Sequence, residues 1–159
     1  MHKLFFCLLI VLSAEMSVFA CMCSGDTPSV REALNKAKVV FLGKAVSSEY
    51  HKGAVFPNGN NAGEELAILF KVQDWWKGEA AEQIAIFTEQ YRAPDQTISI
   101  STCGMEYIIG KVYLVYAVEY PVEGKLRTAL CSRTTKLENA KKDLQKLGKG
   151  YKHKTANIN

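Results

Sequence analysis

The sequence predicts a mainly β domain, a small five-stranded barrel or sandwich with two short helices. Five runs rich in β-branched and aromatic residues recur along the chain, separated by polar or Gly/Pro-containing turns. Apolar residues at helical spacing occur in only two windows. The length beyond residue 20 suits a single core, and no internal repeat is visible.

Residues 1–20 read as an export leader. His2 and Lys3 give a basic start, and "LFFCLLIVLSA" (4–14) is almost wholly apolar. That run is shorter than the ~20 residues needed to cross a bilayer. It stops at Val18-Phe19-Ala20, a cleavage-type site, which argues against a buried N-terminal helix. Cleavage after Ala20 makes Cys21 the first residue of an exported chain. The destination is secreted or extracellular, or the periplasm or cell envelope in a bacterium. A cysteine directly after a leader is also where bacterial lipid anchors are attached. "VFAC" fits that signal poorly, because Phe19 is bulky where a small residue is usual.

The first helix is expected over 28–37. Thr27 can cap it with Pro28 at the first helical position, or Ser29 can cap it with Glu32 completing a capping box. Val30, Ala33, Leu34 and Ala37 form its apolar face. Strands are expected at 39–46, 66–76, 84–89, 111–120 and 125–135. Residues 49–64 read as a Gly/Asn-rich loop or hairpin tip, and 90–105 as loop. Trp75, Trp76, Tyr113 and Tyr116 read as core or half-buried strand residues. A second helix over 136–147 would bury Leu137, Ala140, Leu144 and Leu147, with Gly148 stopping it. This partitions the chain into a leader (1–20), one domain (21–148) and a disordered basic tail (149–159).

The formal net charge is +4, much of it in "KKDLQKLGKGYKHK" near the C-terminus. That segment reads as a solvated helix face and tail in preference to a nucleic-acid or heparin site, and no nucleic-acid partner is expected. No further run is long and apolar enough to cross a membrane.

Cys7 lies in the leader, leaving Cys21, Cys23, Cys103 and Cys131. An even count in an exported chain implies disulfides. Pairing Cys21 with Cys23 would close a very small, strained ring. The other two pairings both tie the N-terminal strip to distant parts of the chain, each closure contributing ~3–4.5 kcal/mol in the loop-entropy account. A metal site is disfavoured, because no histidine lies near Cys-x-Cys and His51 and His153 stand alone. No Ser/His/Asp set, paired carboxylates or phosphate-binding loop is evident, so an enzyme is not expected. The remaining enzymatic reading is thiol exchange at Cys-x-Cys, which requires free thiols of lowered pKa.

The ordered set "CMC" (21–23), "AKVVFLGKAV" (37–46), "FKVQDWWKG" (70–78), "STCG" (101–104), "VYLVYA" (112–117) and "LRTALCSRTT" (126–135) resembles the N-terminal domain of the tissue inhibitors of metalloproteinases. The style is that of single-domain, bacterial-type relatives. The resemblance implies a netrin-like fold, an OB-like five-stranded antiparallel barrel, with the pairings Cys21–Cys103 and Cys23–Cys131. It implies that the amine and carbonyl of Cys21 grip the catalytic zinc of a target protease and that Met22 enters its specificity pocket. Cys23 completes the strip, while Ser101 and Thr102 line the same ridge. The chain needs no cofactor of its own; the zinc belongs to the partner, a zinc metalloproteinase. The chain departs from the vertebrate pattern in lacking a third disulfide between the first helix and the C-terminal helix. It also reads "SGD" after Cys23, and the family's second domain is missing. The alternative is a netrin-like interaction module in the extracellular space or envelope. Its disulfides would be purely structural, and it would be free or lipid-anchored at Cys21.

Overall fold

The computed structural model describes residues 27–53, 63–79, 81–101, 103–120, 124–128 and 131–152. Helix α1 spans Val30–Lys36. The capping box at Ser29 is the one that forms: the Glu32 amide donates to Ser29 Oγ at 3.2 Å and the Ser29 amide donates to Glu32 Oε2 at 2.7 Å. These backbone bonds hold the Glu32 carboxyl below its usual range. Pro28 therefore lies before the helix rather than in it.

Strands β1 (Val39–Lys52), β2 (Glu64–Lys77), β3 (Gln83–Arg92), β5 (Val112–Tyr120) and β6 (Lys125–Arg127) form a ring. β1 pairs antiparallel with β2 on one edge and with β5 on the other. β2 pairs antiparallel with β3, and β5 with β6. The ring closes where Phe87 of β3 pairs with Arg127 of β6, and that seam is parallel. The expectation of a wholly antiparallel ring is corrected there. Irregularities after Val40, Leu42 and Ala45 break the β1–β2 register, and such bulges bend a strand and raise its twist. Gly43 suits this stretch, because a Cβ there would meet the Phe41 ring at 2.9 Å and the Lys71 carbonyl at 3.2 Å.

Other boundaries differ from expectation. β1 and β2 run on as a two-stranded ribbon to Lys52 and Glu64, so the hairpin tip is shorter than 49–64. Part of the expected 90–105 loop is strand: β3 reaches Arg92, and β4 (Ile98–Ile100) pairs with it as an edge. The expected fifth strand is split into β6 and β7 (Thr135–Lys136), with a bend around Cys131–Arg133 between them. The second helix is a 3₁₀ turn at Leu137–Asn139 followed by α2 (Lys141–Leu147). A 3₁₀ turn advances each residue further round the axis than an α-helix. Leu137 therefore leaves the apolar stripe and is 41% exposed, while Ala140 is fully buried. Gly148 ends the helix with a positive φ of 71°.

Adjacent residues of a strand point to opposite faces, so β1 and β5 serve two cores. Phe41, Phe70, Ile86, Tyr113 and Val115 pack together in the first. Its aromatic rings meet edge to face: Phe41 with Phe70 at 5.6 Å, Phe70 with Tyr107 at 5.2 Å and Tyr107 with Tyr113 at 5.0 Å. In the second, Val40, Leu114 and Tyr116 are covered by Ala33 of α1 and Ala37 just after it, and by Leu144 and Leu147 of α2 and Ala140 just before it. Trp75 packs against the first core and Trp76 against the second, both half-buried.

The chain stays attached to the fold past Gly148. Tyr151 exchanges two backbone hydrogen bonds with Trp75, at 2.9 and 3.0 Å, and Trp76 Nε1 donates to the Gly148 carbonyl at 3.0 Å. The start of the expected tail is thus a strap on β2, and residues 153–159 lie outside the described residues. Among the described residues no helix is long and apolar enough to cross a membrane.

Candidate functional site

β3 positions the ridge that carries "STCG". The Ser101 amide donates to the Glu89 carbonyl at 3.0 Å, continuing the β3–β4 ladder by one rung. The chain then reverses. The Cys103 amide donates to Ser101 Oγ at 3.2 Å, and the Gly104 amide donates to the Ser101 carbonyl at 3.1 Å. A serine that bonds the amide two residues on is a common way to nucleate a turn. Ser101 is half-buried and Cys103 is exposed at the tip. A cavity of about 210 Å³ opens beside this turn, lined among others by Thr88, Glu89, Gly104, Met105 and Tyr107.

Cys131 lies on the exposed bend between β6 and β7. Cys103 and Cys131 are each disulfide-bonded, so neither presents a titrating thiol. Cys21, Met22, Cys23 and Thr102 lie outside the described residues. The structure therefore brings Ser101 and Cys103 into one turn and leaves the expected pairing and zinc contacts to be tested.

Two residues after Cys131, Arg133 forms a clamp that was not evident from the sequence. Its Nη1 donates to the Pro28 carbonyl at 2.7 Å, and its Nε donates to Asp143 Oδ2 at 2.7 Å. Asp143 lies on α2 and is 6% exposed. The Tyr116 hydroxyl also donates to Asp143 Oδ2, at 3.3 Å. Thr134 joins β5 to the same bend, its Oγ1 accepting from the Tyr116 amide at 2.9 Å. The bond to Asp143 raises the Arg133 pKa further, keeping the guanidinium charged. Burial, reinforced by the Asp143 charge, keeps the Tyr116 phenol neutral well above its ordinary range. The clamp joins the segment entering α1, the bend after Cys131, β5 and α2. One signal was present in the sequence: Asp143 stands three residues after Ala140, at the edge of the apolar stripe, where a carboxylate needs a partner.

A second buried cluster closes the ring. Glu65 of β2 is fully buried and takes both terminal guanidinium nitrogens of Arg127, the Nη2 bond at 3.0 Å, and Lys125 Nζ at 3.0 Å. Arg127 Nη1 also reaches the Thr88 carbonyl at 3.3 Å. Among the described residues no three His, Cys, Asp or Glu side chains cluster as a metal-binding group.

The chain matches no protein-family model and no curated protein.

Proposed function

We propose that the chain is a secreted inhibitor of zinc metalloproteinases, acting through a free N-terminus at Cys21, and that the ring is an OB-like, netrin-type barrel. The observation that supports this best is the anchoring of Pro28. That residue follows Cys23 by five positions, and its carbonyl is fixed to the bend that carries Cys131. An N-terminal strip entering the fold at so defined a point suits an element that must be presented rigidly. Disulfides from Cys21 to Cys103 and from Cys23 to Cys131 would complete the anchoring. Prior ordering lowers the entropic cost of binding.

The chemistry is suitable. A catalytic zinc keeps one coordination position for water. An α-amine with a pKa of about 7.7–8.0 can yield its proton to a metal near neutral pH and replace that water. Met22 is unbranched and adaptable, which suits an apolar pocket.

The test begins with intact mass. The exported protein should start at Cys21, carry no adduct, and gain four hydrogens on reduction. It should then inhibit at least one member of a panel of zinc metalloproteinases. A form with one extra residue before Cys21 should not inhibit. Equal inhibition by the extended form would overturn the chelation mechanism. Acyl chains on Cys21 would block the amine and favour an anchored binding module.

A further inference from the structure

We infer that the outer face of α2 and the strap after it bind a linear anionic polysaccharide, a carbohydrate polymer bearing sulfate or phosphate groups. This site is separate from the proposed inhibitory strip and does not depend on it.

α2 turns Asp143, Leu144 and Leu147 toward the protein and leaves Lys141, Lys142, Gln145 and Lys146 exposed. Lys149, Tyr151 and Lys152 extend the exposed surface beyond Gly148. Lys141, Lys142, Lys146 and Lys149 take part in no ion pair among the described residues. Lys152 approaches Asp74 only at 3.9 Å. Within 141–152 the one acid is Asp143, and it is turned inward onto Arg133. Five lysines against one aspartate give this segment an excess equal to the whole chain's net charge of +4. Like charges on one helix face repel each other, and an anionic partner relieves that repulsion.

The patch is held in place. The strap is tied by the Tyr151–Trp75 and Trp76–Gly148 hydrogen bonds. Gly150 lies so close to β2 that a Cβ would meet Asp74 and Trp76 side-chain atoms at 3.0 Å. Charges on a fixed backbone bind with less ordering cost than charges on a free tail. The lysines run along about 10 Å of helix and on into the strap, a layout that fits a linear polymer better than one small anion. Tyr151 is 68% exposed, its ring resting obliquely on Trp75, and offers a stacking surface for a sugar ring. It is the sole large hydrophobic exposed in this segment. A lipid surface would call for several inserted apolar side chains, and a polynucleotide for several aromatics.

The test uses the full mature chain and heparin as the sulfated polysaccharide. Binding should weaken as salt rises. The Lys141→Gln, Lys142→Gln, Lys146→Gln, Lys149→Gln variant should lose at least tenfold in affinity at low salt. With four contacts gone, its log–log salt slope should become shallower by about 3. A control carrying Lys44→Gln, Lys52→Gln, Lys71→Gln and Lys111→Gln should stay within twofold of wild type. Tyr151→Ala should weaken binding severalfold and leave the slope unchanged. No binding by the wild type, or equal losses in the two lysine variants, would overturn the site. So would tighter binding to phosphatidylserine vesicles or to single-stranded DNA at matched charge. An unchanged affinity in Tyr151→Ala would overturn the carbohydrate assignment.

Discussion

Arg133 and Pro28, 105 positions apart in the chain, are joined by a hydrogen bond from guanidinium to carbonyl. The same guanidinium holds Asp143, so one side chain couples the start of α1 to α2. Arg133→Met leaves Asp143 a buried carboxylate with only the Tyr116 hydroxyl for a close partner. Removing one member of a buried pair costs about 3–5 kcal/mol, and the partial exposure of Arg133 places this case near 3. The urea midpoint should fall accordingly, and the Ala33 amide in α1 should exchange faster while β1 amides keep their order. If Ala33 exchange is unchanged, the clamp does not hold α1. A weaker inhibition constant in this variant would tie the clamp to the proposed activity.

Met22→Gly addresses the specificity pocket. Burying a methionine side chain is worth about 1.5–3 kcal/mol, so inhibition should weaken roughly 10- to 150-fold. The proposed contact of residue 22 is with the protease, so the melting temperature should not move. Unchanged inhibition would remove residue 22 from the contact.

The ring seam gives a double-variant test. Glu65→Leu strands the Arg127 and Lys125 cations, and Arg127→Met strands much of the Glu65 charge; each should cost about 3–5 kcal/mol. The double variant should cost clearly less than the sum, because two groups that compensate each other are removed together. Simple additivity in denaturant melts would show that the pair is not coupled.

Alkaline pH should expose the two buried phenols. Tyr107 and Tyr116 ionise well above the ordinary range, burial being the first cause in each. In the unfolded chain both lose their protons near pH 10. Below that pH their contribution is constant. Above it the unfolded state sheds protons that the native state keeps, so stability falls by roughly 1.4 kcal/mol per pH unit for each phenol. Tyr107→Phe or Tyr116→Phe should each halve that slope between pH 10 and 11 in denaturant titrations. A slope equal to wild type would show that the phenol already ionises in the native state.

Where the sequence could be read and where it could not has a physical pattern. The apolar start of β1 and the apolar middle of β2 were plain because they face a core. The polar run "SSEYHK" that completes β1 was not, because it lies in a ribbon with most side chains in water and no alternation. β4 was hidden for the same reason: Ile98 and Ile100 are 51% and 58% exposed on an edge. The Ser29–Glu32 capping box was legible because both partners sit within one turn. The Glu65–Arg127 and Arg133–Pro28 contacts join residues far apart, and composition gives no hint of which charge meets which. At the candidate site, the sequence singled out Ser101 and Cys103, which share one turn, but not the Arg133 clamp.

The order in which the chain emerges during synthesis gives the β1–β5 seam a further meaning. Val39, near the front, finds its partner Ala117 only after β2 and β3 have been made. The seam at Arg127 and the clamp at Arg133 come later still. Non-local pairings of this kind slow folding, because the loop must close before the contact rewards it. The segment entering α1 therefore waits without this anchor until residue 133 has been made, and a ribosome stalled before that point would hold it unfastened.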